Sequence, residues 1–312
     1  MKKNLMMSTI LILVLLLGGV LLSGCAQEAP TSEEPAAEEP ATEEPAEETP
    51  EAPKEVALGY VNWAEGVAMT FLAEAILEDH MGYEVESTMA DVAPIFTSIA
   101  NGGTDAFMDG WLPVTHESYM ENFGDDLVDL GYNNEGARIG LVVPAYMDIE
   151  TIEELNDVVD DLEGQIIGID SGAGIMGATE KAIDEYGLDL ELIPGSGPTM
   201  TASLDKAIER EEAIVVTGWA PHWKFARYDL KFLEDSKGIF GDVENIHTIA
   251  RVGLEDEMPE VAQFLKNFYL DGQQLGDLMG AFADAGDADE LETARQWMAE
   301  NEDLVMSWIP EK

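Results

Sequence analysis

Residues 109–120 read Asp-Gly-Trp-Leu-Pro-Val-Thr-His-Glu-Ser-Tyr-Met. An apolar run ends at Met108, Asp109-Gly110 is a turn signal, and Pro113 suits the first turn of a helix. His116 follows Trp111 by five positions. The design occurs twice more. Residues 56–61 run into Asn62-Trp63, and 213–216 run through Thr217-Gly218 into Trp219-Ala220-Pro221-His222-Trp223. Three strands that each end in a turn carrying a tryptophan predict one site at the carboxyl ends of a sheet, where α/β proteins collect ligand-binding residues.

Outward from these turns, strand and helix alternate. A helix is expected over 66–80, where Val67, Phe71, Ala75 and Ile76 recur at helical spacing and Gly82 offers a stop. Residues 83–88 alternate like a half-buried strand, 93–101 read as a helix ended by Gly102-Gly103, and 105–108 form a short strand. Strands are expected at 139–144, 165–169, 190–193 and 246–252. Helices are expected at 152–155, 175–186 with Gly187 as the stop, 200–210, and from Pro259 onward. Phe264, Phe268 and Leu275 take core positions there, and Trp297 and Trp308 read as packing residues. The alternation predicts an α/β fold with parallel sheets. Two groups of strands predict two lobes: lobe I over 55–140, lobe II over 141–245, and a return to lobe I over 246–312.

The first residues read as an export signal. Lys2 and Lys3 precede an apolar stretch over 5–22, and Leu22-Ser23-Gly24-Cys25 closes it. That ending resembles a bacterial lipobox, which implies lipidation of Cys25; the alternative is an uncleaved anchor. Both place the folded part outside the cytoplasm and tethered to the membrane. Cys25 is the only cysteine, so no disulfide framework is possible. Residues 26–54 vary Glu-Glu-Pro-Ala without one aromatic residue and read as a disordered linker. Extended at about 3.1 Å per residue, it would reach at most roughly 90 Å.

Acids outnumber bases by 64 to 15. Nucleic-acid binding needs a basic footprint and is excluded as a class. Residues 55–312 hold 54 of those acids and 12 of the bases, so the excess extends over the folded part. Such a surface stays hydrated where salt screens charge, which suits a saline medium.

Gly172-Ala-Gly174-Ile-Met-Gly177 fits the glycine pattern of a dinucleotide site. The next strand ends in Ile193-Pro194-Gly195 with no acid to hold a ribose, which leaves a helix start suited to a small anion or a purely structural turn. The histidines (His80, His116, His222, His247) lack metal-ligand spacing, and HExxH, CxxC and GxSxG are absent from the sequence. Gly195-Ser196-Gly197 reads as a loop. No cofactor, metal or enzymatic activity is expected. Trp63, Trp111 and Trp219 in equivalent turns instead favour a shared pocket. Indole faces attract cations, with quaternary ammonium the typical guest, and such a box needs no carboxylate partner.

Four separated motifs carry a resemblance that covers essentially all of 55–312. They are Gly-Tyr-Val-Asn-Trp63-Ala-Glu, Asp-Gly-Trp111-Leu-Pro-Val-Thr-His116, Gly-Ile-Asp-Ser-Gly-Ala-Gly174-Ile175-Met and Thr-Gly-Trp219-Ala-Pro-His-Trp. Together they resemble the substrate-binding proteins of glycine betaine/proline betaine ABC transporters, in their tryptophan-cage branch. The resemblance implies a two-lobed type II periplasmic-binding-protein fold with the ligand in the cleft. It implies that Trp63, Trp111 and Trp219 surround the trimethylammonium group, and that His116 and the backbone amides of Gly174 and Ile175 meet the carboxylate. It further implies a monomer that captures ligand, closes, and is recognised by an ABC permease with its ATPase subunits. Choline, carnitine or another quaternary amine is the alternative ligand.

Overall fold

The computed structural model describes residues 54–286 and 288–311. The expected leader with Cys25, and the linker up to Pro53, lie outside the described residues.

Strand β1 (Glu55–Tyr60) leads into helix α1 (Ala64–Ile76), and the unit repeats as β2 (Glu84–Met89), α2 (Val92–Ala100) and β3 (Ala106–Leu112). Val56 and Leu58 alternate inward along β1, the period of a strand with one buried face. Helix α1 buries Ala68, Met69, Leu72, Ala73, Ala75 and Ile76, apolar nearly all round, as a helix covered on both sides must be. A π-helical turn extends it, and Gly82 ends that turn at φ 73°, a conformation open to glycine.

After helix α3 (Glu117–Phe123), strand β4 (Leu127–Pro144) runs for 18 residues. Then come β5 (Gln165–Ile167), α4 (Gly174–Tyr186), β6 (Glu191–Ile193), α5 (Gly197–Glu209), β7 (Val216–Ala220), α6 (Lys224–Arg227) and β8 (Leu230–Phe232). Strand β9 (Glu244–Arg251) is followed by α7 (Leu254–Glu257), α8 (Pro259–Asn267), α9 (Gly272–Ala285), α10 (Glu290–Glu300) and α11 (Glu302–Met306). Ser196, expected in a loop, is the N-cap of α5 and exchanges hydrogen bonds with Thr199. Helices α9 and α10 pack on α1, and Trp308 meets Phe268 at 4.6 Å between rings.

The strand order is β2-β1-β3-β9-β4-β7-β5-β6, with β8 beside β4. Strands β1, β2 and β3 are parallel, as are β5, β6 and β7. Strand β9 runs antiparallel to both β3 and β4, and β4 antiparallel to β7 and β8. The sheets are therefore mixed where the alternation predicts parallel ones. The βα units supply the parallel pairs; β4 carries the chain from the first half to the second and β9 carries it back, so the two run antiparallel. Strand β4 changes partners along its length: up to Ala137 it pairs with β9, and from Arg138 with β7. Two sheets thus share one strand, and each underlies one lobe.

The expected turn at Asp109-Gly110 is strand, because β3 continues through Trp111 to Leu112. Gly110 is there for proximity. A Cβ on it would lie 2.7 Å from Ile249 Cγ1 on β9. Gly218, one residue before Trp219, faces β4 the same way, with a Cβ 2.9 Å from that of Val142. Pro113, expected in a first helical turn, follows a cis peptide bond instead, and so does Pro221.

Candidate ligand-binding cleft

Each tryptophan arrives on a strand or just past one. Trp63 is the N-cap residue of α1, Trp111 the penultimate residue of β3, and Trp219 the penultimate residue of β7. Trp63 and Trp111 come from one sheet and Trp219 from the other, and all three are buried. They line a single cavity with Glu65, Thr115, His116, Ile139, Ile169, Ala173, Gly174 and Ile175. All six residues predicted for the site from sequence meet there.

The turn after β3 is held from a distance. Glu244, the first residue of β9, accepts the backbone N–H of Val114 at 2.9 Å and of Thr115 at 2.7 Å, and also the Thr115 hydroxyl. This folds the chain so that the Trp111 backbone N–H donates to His116 Nδ1 at 2.9 Å, while the His116 N–H donates to the Trp111 carbonyl. An imidazole that accepts at Nδ1 carries its proton on Nε2. Burial pushes the His116 pKa down to about 3, so the ring is neutral at ordinary pH. Nε2 is buried and has no partner among the described residues. His116 is thus an uncharged donor on the cavity wall, with its ring 5.9 Å from that of Trp63.

Helix α4 approaches from the other sheet. Its N-cap, Ala173, has no capping side chain, so the first-turn amides at Gly174 and Ile175 have no side-chain acceptor. Those amides and the helix dipole suit a carboxylate. The lobes touch here: Tyr119 Oη donates to the Gly172 carbonyl at 3.2 Å, and Gly174 abuts Thr115.

Behind each indole the structure puts a carboxylate that holds its N–H. The Nε1–H of Trp63 donates to Asp170 at 2.9 Å, that of Trp111 to Asp109 at 2.8 Å, and that of Trp219 to Glu65 at 2.8 Å. Burial raises the Glu65 carboxyl, against hydrogen bonds from its own backbone and from Trp219 and the charge of Lys224. Burial also raises Asp109, with the Glu65 charge adding to it. Lys224 is fully buried with Nζ 4.1 Å from the Trp219 ring centre, and burial lowers its pKa. This cluster backs the cage with groups held toward their neutral forms.

The fold and site find a direct parallel among known proteins. Residues 54–300 match the family described as the substrate binding domain of ABC-type glycine betaine transport systems. The chain belongs to that family. A curated member, the glycine betaine/carnitine transport binding protein GbuC of Listeria monocytogenes, is 43% identical over 155 residues. That stretch covers 49% of this chain and about half, 51%, of the relative. Lactococcal OpuAC, in its closed-liganded conformation complexed with glycine betaine, is 37% identical with a TM-score of 0.77, over 82% of this chain and 100% of that one. The glycine betaine/L-proline-binding protein ProX of Borrelia burgdorferi is 38% identical with a TM-score of 0.79, over 83% and 97%. The two-lobed type II periplasmic-binding-protein fold is thereby shared, and the family is one of transport binding proteins.

Sequence reasoning missed Glu65, Asp109, Asp170 and Lys224. A local signal existed for two of them: Glu65 and Asp109 each lie two positions from a cage tryptophan. On strand β3 that spacing puts Asp109 and Trp111 on one face. Among 64 acids, the spacing had nothing to distinguish it. The other histidines stand outside the cavity wall: His222 Nδ1 accepts the Lys224 N–H, and His247 pairs with Asp129.

Proposed function

We propose that this chain is the extracytoplasmic receptor of an ABC importer and captures glycine betaine, with proline betaine as a related ligand, for compatible-solute uptake. In this reading Trp63, Trp111 and Trp219 surround the trimethylammonium group. The Nε2–H of His116 and the amides of Gly174 and Ile175 hold the carboxylate. The observation that carries it is the pairing, in one cavity, of three indoles with a neutral, unpartnered imidazole donor. A zwitterion with a bulky soft cation and a compact anion matches both ends: cation–π attraction is worth about 0.5–2 kcal/mol per ring at the first, and hydrogen bonds serve the second.

Contacts to both lobes stabilise the closed form, which the permease and its ATPase subunits then engage. Lipidated Cys25 anchors the chain, as a monomer, to the outer face of the membrane. Titration calorimetry with glycine betaine, beside tryptophan fluorescence, tests the reading. Absence of both heat and fluorescence change across temperatures overturns it. The second reading is a carrier for carnitine or choline, favoured by the carnitine in the name of the Listeria relative. Choline has no carboxylate, so His116→Ala separates the two: retained affinity for choline with lost affinity for glycine betaine marks which end of the site each ligand uses.

A further inference from the structure

Two of the three indole–carboxylate bonds join opposite lobes. Trp63 precedes α1 beside β1, whereas Asp170 follows β5 in the other sheet. Trp219 lies on β7, whereas Glu65 stands in the first turn of α1. The bonds cross the cleft in opposite senses, each lobe giving one indole and receiving one. The third bond, from Trp111 to Asp109, stays within strand β3.

We infer that Asp170 and Glu65 are positioning residues that fix the Trp63 and Trp219 walls of the cage only when the lobes are closed. A donor and acceptor on separate lobes, 2.9 Å or 2.8 Å apart in this structure, part when the cleft opens. The two rings then lose the bond that sets their tilt, while Trp111 keeps its own. Closure and cage assembly are one event. The ligand's ammonium favours the assembled cage, and the assembled cage ties the lobes. The raised carboxyl of Glu65 agrees with this, because closing the cleft takes that group out of water. Asp170 is only half-buried, so it can be changed without emptying a core position.

The inference rests on the glycine betaine reading, and the experiment separates the two. Indole N–H exchange with solvent is followed by NMR on the full chain, 15N-labelled at tryptophan, with and without glycine betaine; calorimetry is run beside it. Tryptophan-to-phenylalanine variants of the free protein assign the signals. The Trp63 and Trp219 indoles should exchange freely without ligand and become protected at saturation, while Trp111 is protected throughout. Asp170→Ala should weaken glycine betaine binding roughly tenfold to a hundredfold, the range for a hydrogen bond to a charged group. It should leave the melting temperature of the free protein unchanged and keep Trp63 exchanging even at saturation. Asp170→Asn, which retains an acceptor oxygen, should recover part of the loss. Glu65→Ala should likewise leave Trp219 exchanging at saturation, and Glu65→Gln, which keeps the acceptor oxygen, should recover part of that loss. Should the parent bind glycine betaine with the protection of Trp63 and Trp219 unaltered, or Asp170→Ala bind as tightly as the parent, the inference falls alone. No binding by the parent overturns the ligand reading, and this inference with it.

Discussion

Gly174→Ala should separate binding from stability. Gly174 opens α4 and has no positive φ, so its backbone does not require glycine; alanine is the better helix former by up to about 1 kcal/mol. What requires glycine is the opposite lobe. A Cβ at this position would lie 2.6 Å from Thr115 Cγ2 and closer still to the Thr115 carbonyl oxygen, against the 3.0 Å that Cβ atoms keep from their neighbours. The Thr115 backbone cannot move aside easily, because Glu244 holds its N–H and hydroxyl. The lobes must therefore part by at least 0.4 Å to clear Cγ2 and further to clear the oxygen, and the amides of Gly174 and Ile175 retreat with α4. Overpacking of this kind costs about 1–3 kcal/mol, paid only in the closed state, which is roughly fivefold to 150-fold in dissociation constant. Calorimetry with glycine betaine should show that loss, while the ligand-free melting temperature holds or rises. Unchanged affinity would refute the claim that Gly174 meets Thr115 when the cleft is shut, and a fall in ligand-free melting temperature would refute the claim that glycine is dispensable to the lobe itself.

Four further outcomes follow from the same contacts. Trp111→Ala removes one wall of the cavity and should weaken glycine betaine by at least tenfold, about 1.4 kcal/mol; an unaltered dissociation constant removes Trp111 from the site. Gly218→Ala drives a methyl into Val142 within one sheet, so here the melting temperature of the free protein should fall, by the equivalent of about 1–3 kcal/mol. The third is a pH effect. The His116 pKa is about 3 when folded against about 6.5 unfolded. Its contribution to stability is complete above pH 6.5 and lost as pH falls toward 3, at up to about 1.4 kcal/mol per unit. His116→Gln, melted beside the parent from pH 7 to 4, should show a shallower decline; parallel curves would contradict the buried neutral imidazole. Finally, with 54 acids against 12 bases over 55–312, repulsion should be relieved by screening. The protein should therefore melt higher in concentrated NaCl than in dilute buffer, and the reverse order would count against an acidic surface adapted to salt.

The parts of this protein readable from sequence are those governed by local pattern. Helix α4 with its Gly187 stop at φ 63°, the helical C-terminal region and six of the cavity-lining residues follow from spacing or motif. Pairing between distant strands left no such mark. Strand β4 was legible only in its apolar end, because the stretch before Arg138 alternates irregularly and breaks register with β9 at several points. Strand β8, three half-buried residues, has too little pattern to detect. Asp109-Gly110 read as a turn because glycine ordinarily signals one; its actual cause, the nearness of Ile249, lies 139 positions away. Asp170 and Glu65 escaped for the same reason, since each meets a tryptophan more than a hundred positions away.

The tautomer of His116 has a consequence for discrimination against inorganic anions. An ammonium or guanidinium at that end of the cavity would bind a carboxylate more strongly, but it would also hold chloride, which outnumbers any organic solute in a saline medium. An imidazole fixed neutral by burial, beside the bare amides of α4, presents dipoles with a set direction and no net charge. A small inorganic anion must shed its water to reach them and meets no counter-ion in return. A carboxylate tethered to a caged cation has its dehydration repaid at the far end of the same molecule. In the proposed binding mode, competition from inorganic anions is thus reduced by what the site omits.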